Sequence, residues 1–207
     1  MGKTAINLHH TAIYAKDDVA EQFDAVNEGH RKRWNGKTKS KMGFYGGYHY
    51  IIERSGEVQQ FRNDWENGAH NDKGIKWVGI KRVSANYYAL GVCFAGNMSR
   101  QNLSDAQVKA GVELINQLKE KHKIFDKDIT PHRAHKATQC PGNNFPDPAW
   151  DYLKEMYDKL EEPWKKQARD WAMSRGVSNG DRPDDPVTRV ELWQTIKNYH
   201  EKLLKKK

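Results

Sequence analysis

At 207 residues the chain can bury one good core and carry a small appendix. Only 37% of it is hydrophobic and 30% is charged, so much of the surface is solvated, and no run of 18 apolar residues exists to form a membrane-spanning helix. Lysine and arginine outnumber aspartate and glutamate by 35 to 27, a net charge of +8 that points to an anionic partner. The charge is spread, with 11 basic and 8 acidic side chains in residues 161–207 against 24 and 19 in residues 1–160, and this argues against a dedicated nucleic-acid stripe.

Residues 5–10, Ala-Ile-Asn-Leu-His-His, read as a core strand with Ile6 and Leu8 facing one way. Asp17 and Asp18 are placed to cap a helix whose apolar stripe is Val19, Phe23 and Val26, and Asn35-Gly36 closes that segment after Trp34. The basic stretch 37–41 reads as a solvated loop. Residues 48–53 alternate as a strand into the Ser55-Gly56 turn, and residues 57–61 return as its hairpin partner. Residues 63–85 show no periodicity, which predicts a long loop carrying Trp65, His70 and Trp77; loops of that length in a small domain are often functional.

Residues 88–95 form the next strand, an apolar run in which Cys93 is expected to be buried as a small hydrophobe. Ser104-Asp-Ala-Gln107 is a capping box that opens a helix with Val108, Val112, Ile115 and Leu118 on one face. Ile129 leads into residues 131–142, and a last helix runs from about Pro148 to Leu160. Strands alternating with helices at this spacing predict an α/β fold, a mixed central β-sheet flanked by helices. The composition changes after Glu161-Glu162-Pro163 to a small α-helical C-terminal segment: a helix over 164–175, a stop at Gly176–Gly180, an Asp/Pro-rich loop and a second helix over 188–204. The expected domains are therefore 1–160 and 161–207.

Two cysteines do not make a disulfide framework. The chain starts directly into a strand and lacks the charged and apolar regions of a signal peptide, so synthesis in a reducing cytoplasm is expected.

The chemistry is concentrated in residues 131–142, Pro-His-Arg-Ala-His-Lys-Ala-Thr-Gln-Cys-Pro-Gly, which set His132 and Cys140 eight residues apart among turn formers. Imidazole and thiolate together suit a borderline-soft cation, Zn²⁺ above all. Two ligands are too few, and the His9–His10 pair is the candidate source of a third. Adjacent on a strand, these two point to opposite faces, so only one can join. Three protein ligands and an open position describe a catalytic zinc, whereas structural sites close all four.

Five ordered motifs run through the chain: His-His-Thr (9–11), Gly-Gly-Tyr-His-Tyr (46–50), Gly-Ala-His-Asn (68–71), Leu-Gly-Val-Cys-Phe-Ala-Gly (90–96) and the His132…Cys140-Pro-Gly stretch. Together they resemble the type 2 N-acetylmuramoyl-L-alanine amidases, whose fold is shared with peptidoglycan recognition proteins and small phage amidases, over roughly residues 4–150. The resemblance implies hydrolysis of the amide between N-acetylmuramic acid and L-alanine in peptidoglycan, with one Zn²⁺ per chain. It places the metal on His9, His132 and Cys140, with His10 left to packing. Tyr48 and Thr138 follow as catalytic hydrogen-bond donors, and His70, Trp77 and Asn86 as substrate contacts. Two departures stand out: Thr138 occupies a position where some phage amidases hold a lysine, and Cys93 one where some amidases hold a glutamate as general base. Lys136 is the nearby cation, and His49 reads as structural.

In the C-terminal segment, Trp171-Ala…Gly176-Val and Thr188-Arg-Val-Glu191 resemble one copy of the S-layer homology motif. A wall-directed module joined to an amidase without an export signal looks like a phage endolysin, made in the cytoplasm of an infected bacterium and lysing the wall after release. The implied partners are peptidoglycan and its muropeptides, with anionic wall polymers and weak self-association through the C-terminal segment as further expectations, and no nucleic acid. The rival readings are a peptidoglycan-recognition protein that binds without cutting and a nucleic-acid- or polymerase-binding regulator. Recognition proteins of that kind usually lose the cysteine ligand, so Cys140 argues against the first.

Overall fold

Six residues, Ala5–His10, form strand β1, and their alternation sets the two faces of the molecule. A computed structural model describes residues 2–15, 21–72, 75–78 and 81–160, together with residues 170, 171 and 174. The chain divides into two compact units, Met1–Glu162 and Pro163–Lys207. The helix–loop–helix expected over 164–204, with its S-layer-like motif, lies outside the described residues apart from those three. Asp17, Asp18 and Val19 lie outside them too.

Strand β1 lies between β6 (Ala89–Phe94) and β7 (Ile129–Pro131) in a five-stranded mixed sheet that also holds β2 (Tyr50–Ile52) and β3 (Val58–Gln60), in the order β3-β2-β6-β1-β7. Strands β2, β6, β1 and β7 run parallel, and β3 closes one edge as the antiparallel hairpin partner of β2. β1 and β6 pair along their whole length, from Ala5↔Ala89 to His10↔Phe94, and both are buried throughout, as central parallel strands covered on two faces must be.

On one face Ile6, Leu8, Ile52, Leu90, Val92 and Phe94 pack with Val108, Val112 and Ile115 of α3 (Asp105–His122) and Leu153 of α4 (Ala149–Leu160). Phe145 meets Phe94 edge to face, with ring centroids 5.2 Å apart. Each of these side chains contributes about 1.5–3 kcal/mol by leaving water. The capping box of α3 forms as read, and Gln107 goes further: its Nε2 donates to the carbonyls of Ile52 (3.1 Å) and Ala95 (2.8 Å), tying the helix start to the sheet.

The opposite face carries Asn7, His9, Ile51, Gly91 and Cys93. A smaller apolar cluster covers part of it, with Phe23 and Val26 of α1 (Phe23–Arg33) against Ile51, Phe61 and Ala95. Helix α1 begins later than the aspartates suggest, and its N-cap residue, Gln22, makes no side-chain cap bond. The buried carboxylate of Glu53, beyond β2, caps it instead by accepting from the amides of Gln22 (2.9 Å) and Phe23 (2.8 Å). Buried Arg62 donates to the carbonyls of Thr38, Gly46 and Asn67 and so fixes the segment that leads to Tyr48.

The expected long loop over 63–85 is partly regular. It contains an antiparallel hairpin, β4 (Ile75–Val78) and β5 (Lys81–Ser84), followed by a single turn of helix, α2 (Ala85–Tyr88). Four-residue strands interrupted by Lys76, Lys81 and Arg82 are too short and too polar for a period of two to show. No helix among the described residues is long and apolar enough to cross a membrane.

Candidate metal centre

Strands β1 and β7 leave the sheet side by side. Leu8 is in register with Pro131, so the residues that follow, His9 and His132, emerge at the same edge with ring centroids 4.6 Å apart. His132 opens a short 3-10 turn, and the chain then doubles back, the Arg133 amide donating to the Cys140 carbonyl at 2.9 Å. That return brings Cys140 Sγ to 3.7 Å from His9 Nδ1. One ligand atom from each of His9, His132 and Cys140 lies within 4.8 Å of the others. Tetrahedral bonds of about 2.0–2.3 Å put nitrogen and sulfur ligands about 3.5 Å apart, so the spacing fits a zinc-sized ion.

A second feature fits as well. His132 Nε2 is buried and has no hydrogen-bond partner. An unsatisfied buried polar atom costs about 1–3 kcal/mol, and a cation is the natural partner of its lone pair.

Burial, reinforced by the neighbouring His70 and His132, holds His9 well below the usual imidazole range. Burial, then the charge of Lys136 and of His135, lowers His132 to about 4. Burial pushes the Cys140 thiol up to about 11, against the backbone of His10 and the guanidinium of Arg133, which pull it down. Two neutral imidazoles and a thiol therefore face one point, and a cation held there would displace the thiol proton.

Arg133 holds the cysteine loop in place. It makes a two-pronged pair with Asp147 (2.8 and 3.0 Å), and it donates to the carbonyls of Gly142 (2.9 Å), Gln139 (3.4 Å) and Phe145. Nothing in the local pattern signals this role beyond the position of Arg133 next to His132.

Tyr48 stands against His9, ring centroids 5.0 Å apart. Its hydroxyl meets the thiol of buried Cys93, which lies opposite His9 in the strand register. Burial, then Cys93 and Cys140, holds the phenol well above its usual range, so Tyr48 is a hydrogen-bond donor. Thr138 is exposed, and its oxygen accepts from the Cys140 amide at 3.3 Å.

A cleft of about 310 Å³ opens beside His132 and Tyr48. One wall is His30, Arg33 and Trp34 of α1; another is the 69–72 segment with Asn86, and Lys136 stands at its edge 3.8 Å from Asp72. Sequence reasoning missed the α1 wall, although the i, i+4 spacing of His30 and Trp34 was the available signal. Asn86 borders the cleft, but its side-chain oxygen accepts from the amides of His70 and Asn71, both at 2.8 Å. His70 also borders the cleft, with its ring turned to His9. Trp77 falls in β4 by its backbone, and its side chain lies outside the described residues. His10 faces away from the centre and accepts from the Met98 amide at 3.0 Å. His49 is fully buried, accepting from the Gly91 amide and donating to the Glu66 carbonyl.

A family model described as N-acetylmuramoyl-L-alanine amidase matches residues 3–143. Peptidoglycan-recognition protein SC1a of Drosophila melanogaster is 30% identical over 100 residues, 47% of this chain and 48% of that protein. The chain thus spans about half the length of the curated relatives it matches. Among solved structures, N-acetylmuramoyl-L-alanine amidase LysC from Clostridium intestinale is 25% identical with a TM-score of 0.55, covering 77% of this chain and 86% of that one. Bumblebee PGRP-SA shares the fold at 22% identity and a TM-score of 0.51, covering 70% of this chain and 83% of that one.

Proposed function

This chain belongs to the N-acetylmuramoyl-L-alanine amidase family, and from that premise we propose that it hydrolyses, with one bound Zn²⁺, the amide joining N-acetylmuramic acid to L-alanine in bacterial peptidoglycan. The observation that carries the reading is the meeting of His9, His132 and Cys140 beside a cleft, with the buried His132 Nε2 unpartnered. Three protein ligands leave a fourth position for chemistry. Zinc held there supplies Lewis-acid polarisation of the amide carbonyl and lowers the pKa of water toward about 7.

The chain's own residues do the rest. Water adds to the carbonyl carbon, the carbon–nitrogen bond breaks, and the leaving amine takes up a proton. Tyr48, kept protonated by burial, donates a hydrogen bond to the oxyanion and relays the proton toward the amine. Thr138 is the second candidate donor, neutral where a lysine would bring charge. Cys93 offers no carboxylate base beside Tyr48. Arg33 and Lys136, which both line the cleft, suit the carboxylates of a stem peptide. Residues 161–207 act as a wall-directed module that raises residence without taking part in cleavage, and the whole serves as an endolysin.

The test combines zinc analysis with turbidity loss on purified walls, with and without chelator. One zinc per chain and lysis abolished by its removal are expected. Full activity after verified removal of zinc overturns the reading. The relatives named as recognition proteins favour one alternative, binding without cleavage, which gives muropeptide binding and no turbidity loss in the zinc-loaded protein. Truncation after Leu160 should keep zinc and the cleavage of small soluble muropeptides while weakening lysis of whole cells.

A further inference from the structure

His9 can give a cation only one nitrogen. Its Nδ1 lies 3.7 Å from Cys140 Sγ, on the side of the centre, and its Nε2 points the other way, 3.0 Å from His70 Nδ1. Which of the two carries the proton decides whether a lone pair faces the centre.

The answer is fixed one residue further back. The second nitrogen of His70, Nε2, faces the carbonyl oxygen of Ala89 at 3.4 Å. A carbonyl only accepts, so His70 Nε2 bears the proton, and Nδ1 of the neutral ring is left as an acceptor. His9 Nε2 must then donate to it, and His9 Nδ1 is bare. Flipping the His70 ring would put carbons where both nitrogens stand and lose both bonds.

The surroundings hold this arrangement. The His70 ring lies on two glycines: a Cβ at Gly68 would sit 2.4 Å, and one at Gly91 2.6 Å, from its Cδ2. Its backbone amide is held by Asn86 Oδ1, and the next side chain, Asn71, donates to Asn7 Oδ1 of β1 at 2.9 Å. His70 packs edge-on against His9, with centroids 5.0 Å apart.

We infer that His70 is a positioning residue for the metal ligand His9: the file from the Ala89 carbonyl through His70 holds His9 in its Nε2-protonated tautomer with Nδ1 turned to the centre. This rests on the metal-centre reading above. It also gives the two motif glycines a shared reason, since both make room for one imidazole. Outer partners of this kind typically set metal affinity by about 10–100-fold.

The experiment uses the full chain with ¹⁵N-labelled histidine and two variants. In the metal-free wild type, nitrogen-detected NMR should find the His9 proton on Nε2, with the signal assigned by its loss in His9→Gln. His70→Phe keeps a ring in the glycine niche but can neither accept nor donate. Its zinc affinity, measured by competition with a chromophoric chelator, should fall about 10–100-fold. His70→Gln can accept from His9 through its amide oxygen and donate to Ala89 through its amide nitrogen, and should recover most of the loss. A proton on His9 Nδ1 in the wild type, unchanged zinc affinity in His70→Phe, or a Gln variant no better than Phe overturns the relay. Should His70→Phe fail to fold, the wild-type tautomer still decides. A wild type that binds no zinc sinks the metal centre itself, whereas normal zinc binding with the wrong tautomer sinks only the relay.

Discussion

On β1 and β6, Ile6, Leu8, Leu90, Val92 and Phe94 turn toward α3 and α4, while Asn7, His9, Gly91 and Cys93 turn toward the cleft. The same two strands supply both sets, residue by alternate residue. The helix side is held by volume: the strand side chains there are all hydrocarbon and interlock with those of α3 and α4. The cleft side is held by direction: Asn7 meets Asn71 and Thr130, and His9 meets His70, each through a named polar atom. A slip of one residue in either strand would exchange the two sets, so the hydrophobic side fixes the register on which the polar side depends.

Four changes test that division, in order of expected effect. His9→Ala or Cys140→Ala, on the cleft side and its loop, should bring hydrolysis to background while circular dichroism keeps the fold; a variant that unfolds would show that the site also carries the structure. Phe94→Ala, on the helix side, should cost about 3–5 kcal/mol of stability in denaturant titration and leave one zinc per folded chain. Tyr48→Phe removes one donor and should slow turnover by about 10²-fold or more, near 2.7 kcal/mol, with zinc content intact. A near-normal rate would assign Tyr48 to packing.

The smallest effect is on acid stability of the metal-free protein. Burial lowers His49 to about 3, and burial, with Arg33 and Arg62, lowers His30 to about 4, both from an unfolded value near 6.5. Between about pH 6.5 and 4 the unfolded chain therefore binds protons that the folded chain refuses, and stability must fall as pH falls through that window. Urea midpoints should decline steadily there. A flat profile would mean that the cleft-side imidazoles accept protons in place.

What was legible in the sequence is what short-range pattern encodes. The capping box at Ser104, the run 88–95 and the ligand types at 132 and 140 announce themselves within a few residues. The hairpin at 75–84 did not, because its strands are shorter than the period needed to recognise them. The start of α1 at Phe23 has no local signal, because the carboxylate that caps it comes from 30 residues away. The place of His70 beside His9 depends on a partner 61 positions distant, and that of Arg133 on a loop not yet folded back in any reading of the string. Contacts of this kind have a chemical logic but no local spelling.

Glu53 gives that distance a further meaning. Helix α1 is 11 residues long, shorter than the ~12–15 at which isolated helices become even marginal in water, and its own first turn supplies no side-chain cap. Burial raises Glu53 against the two amides that hold it down, and those amides take one carboxylate oxygen each. A peptide of residues 20–36 should then be unstructured alone, and Glu53→Gln should speed amide exchange along α1 before it disturbs β1 or β6. The helix that walls the cleft with His30, Arg33 and Trp34 is therefore tied at its start to the residue that follows β2, so the cleft wall depends on a link that lies outside the cleft.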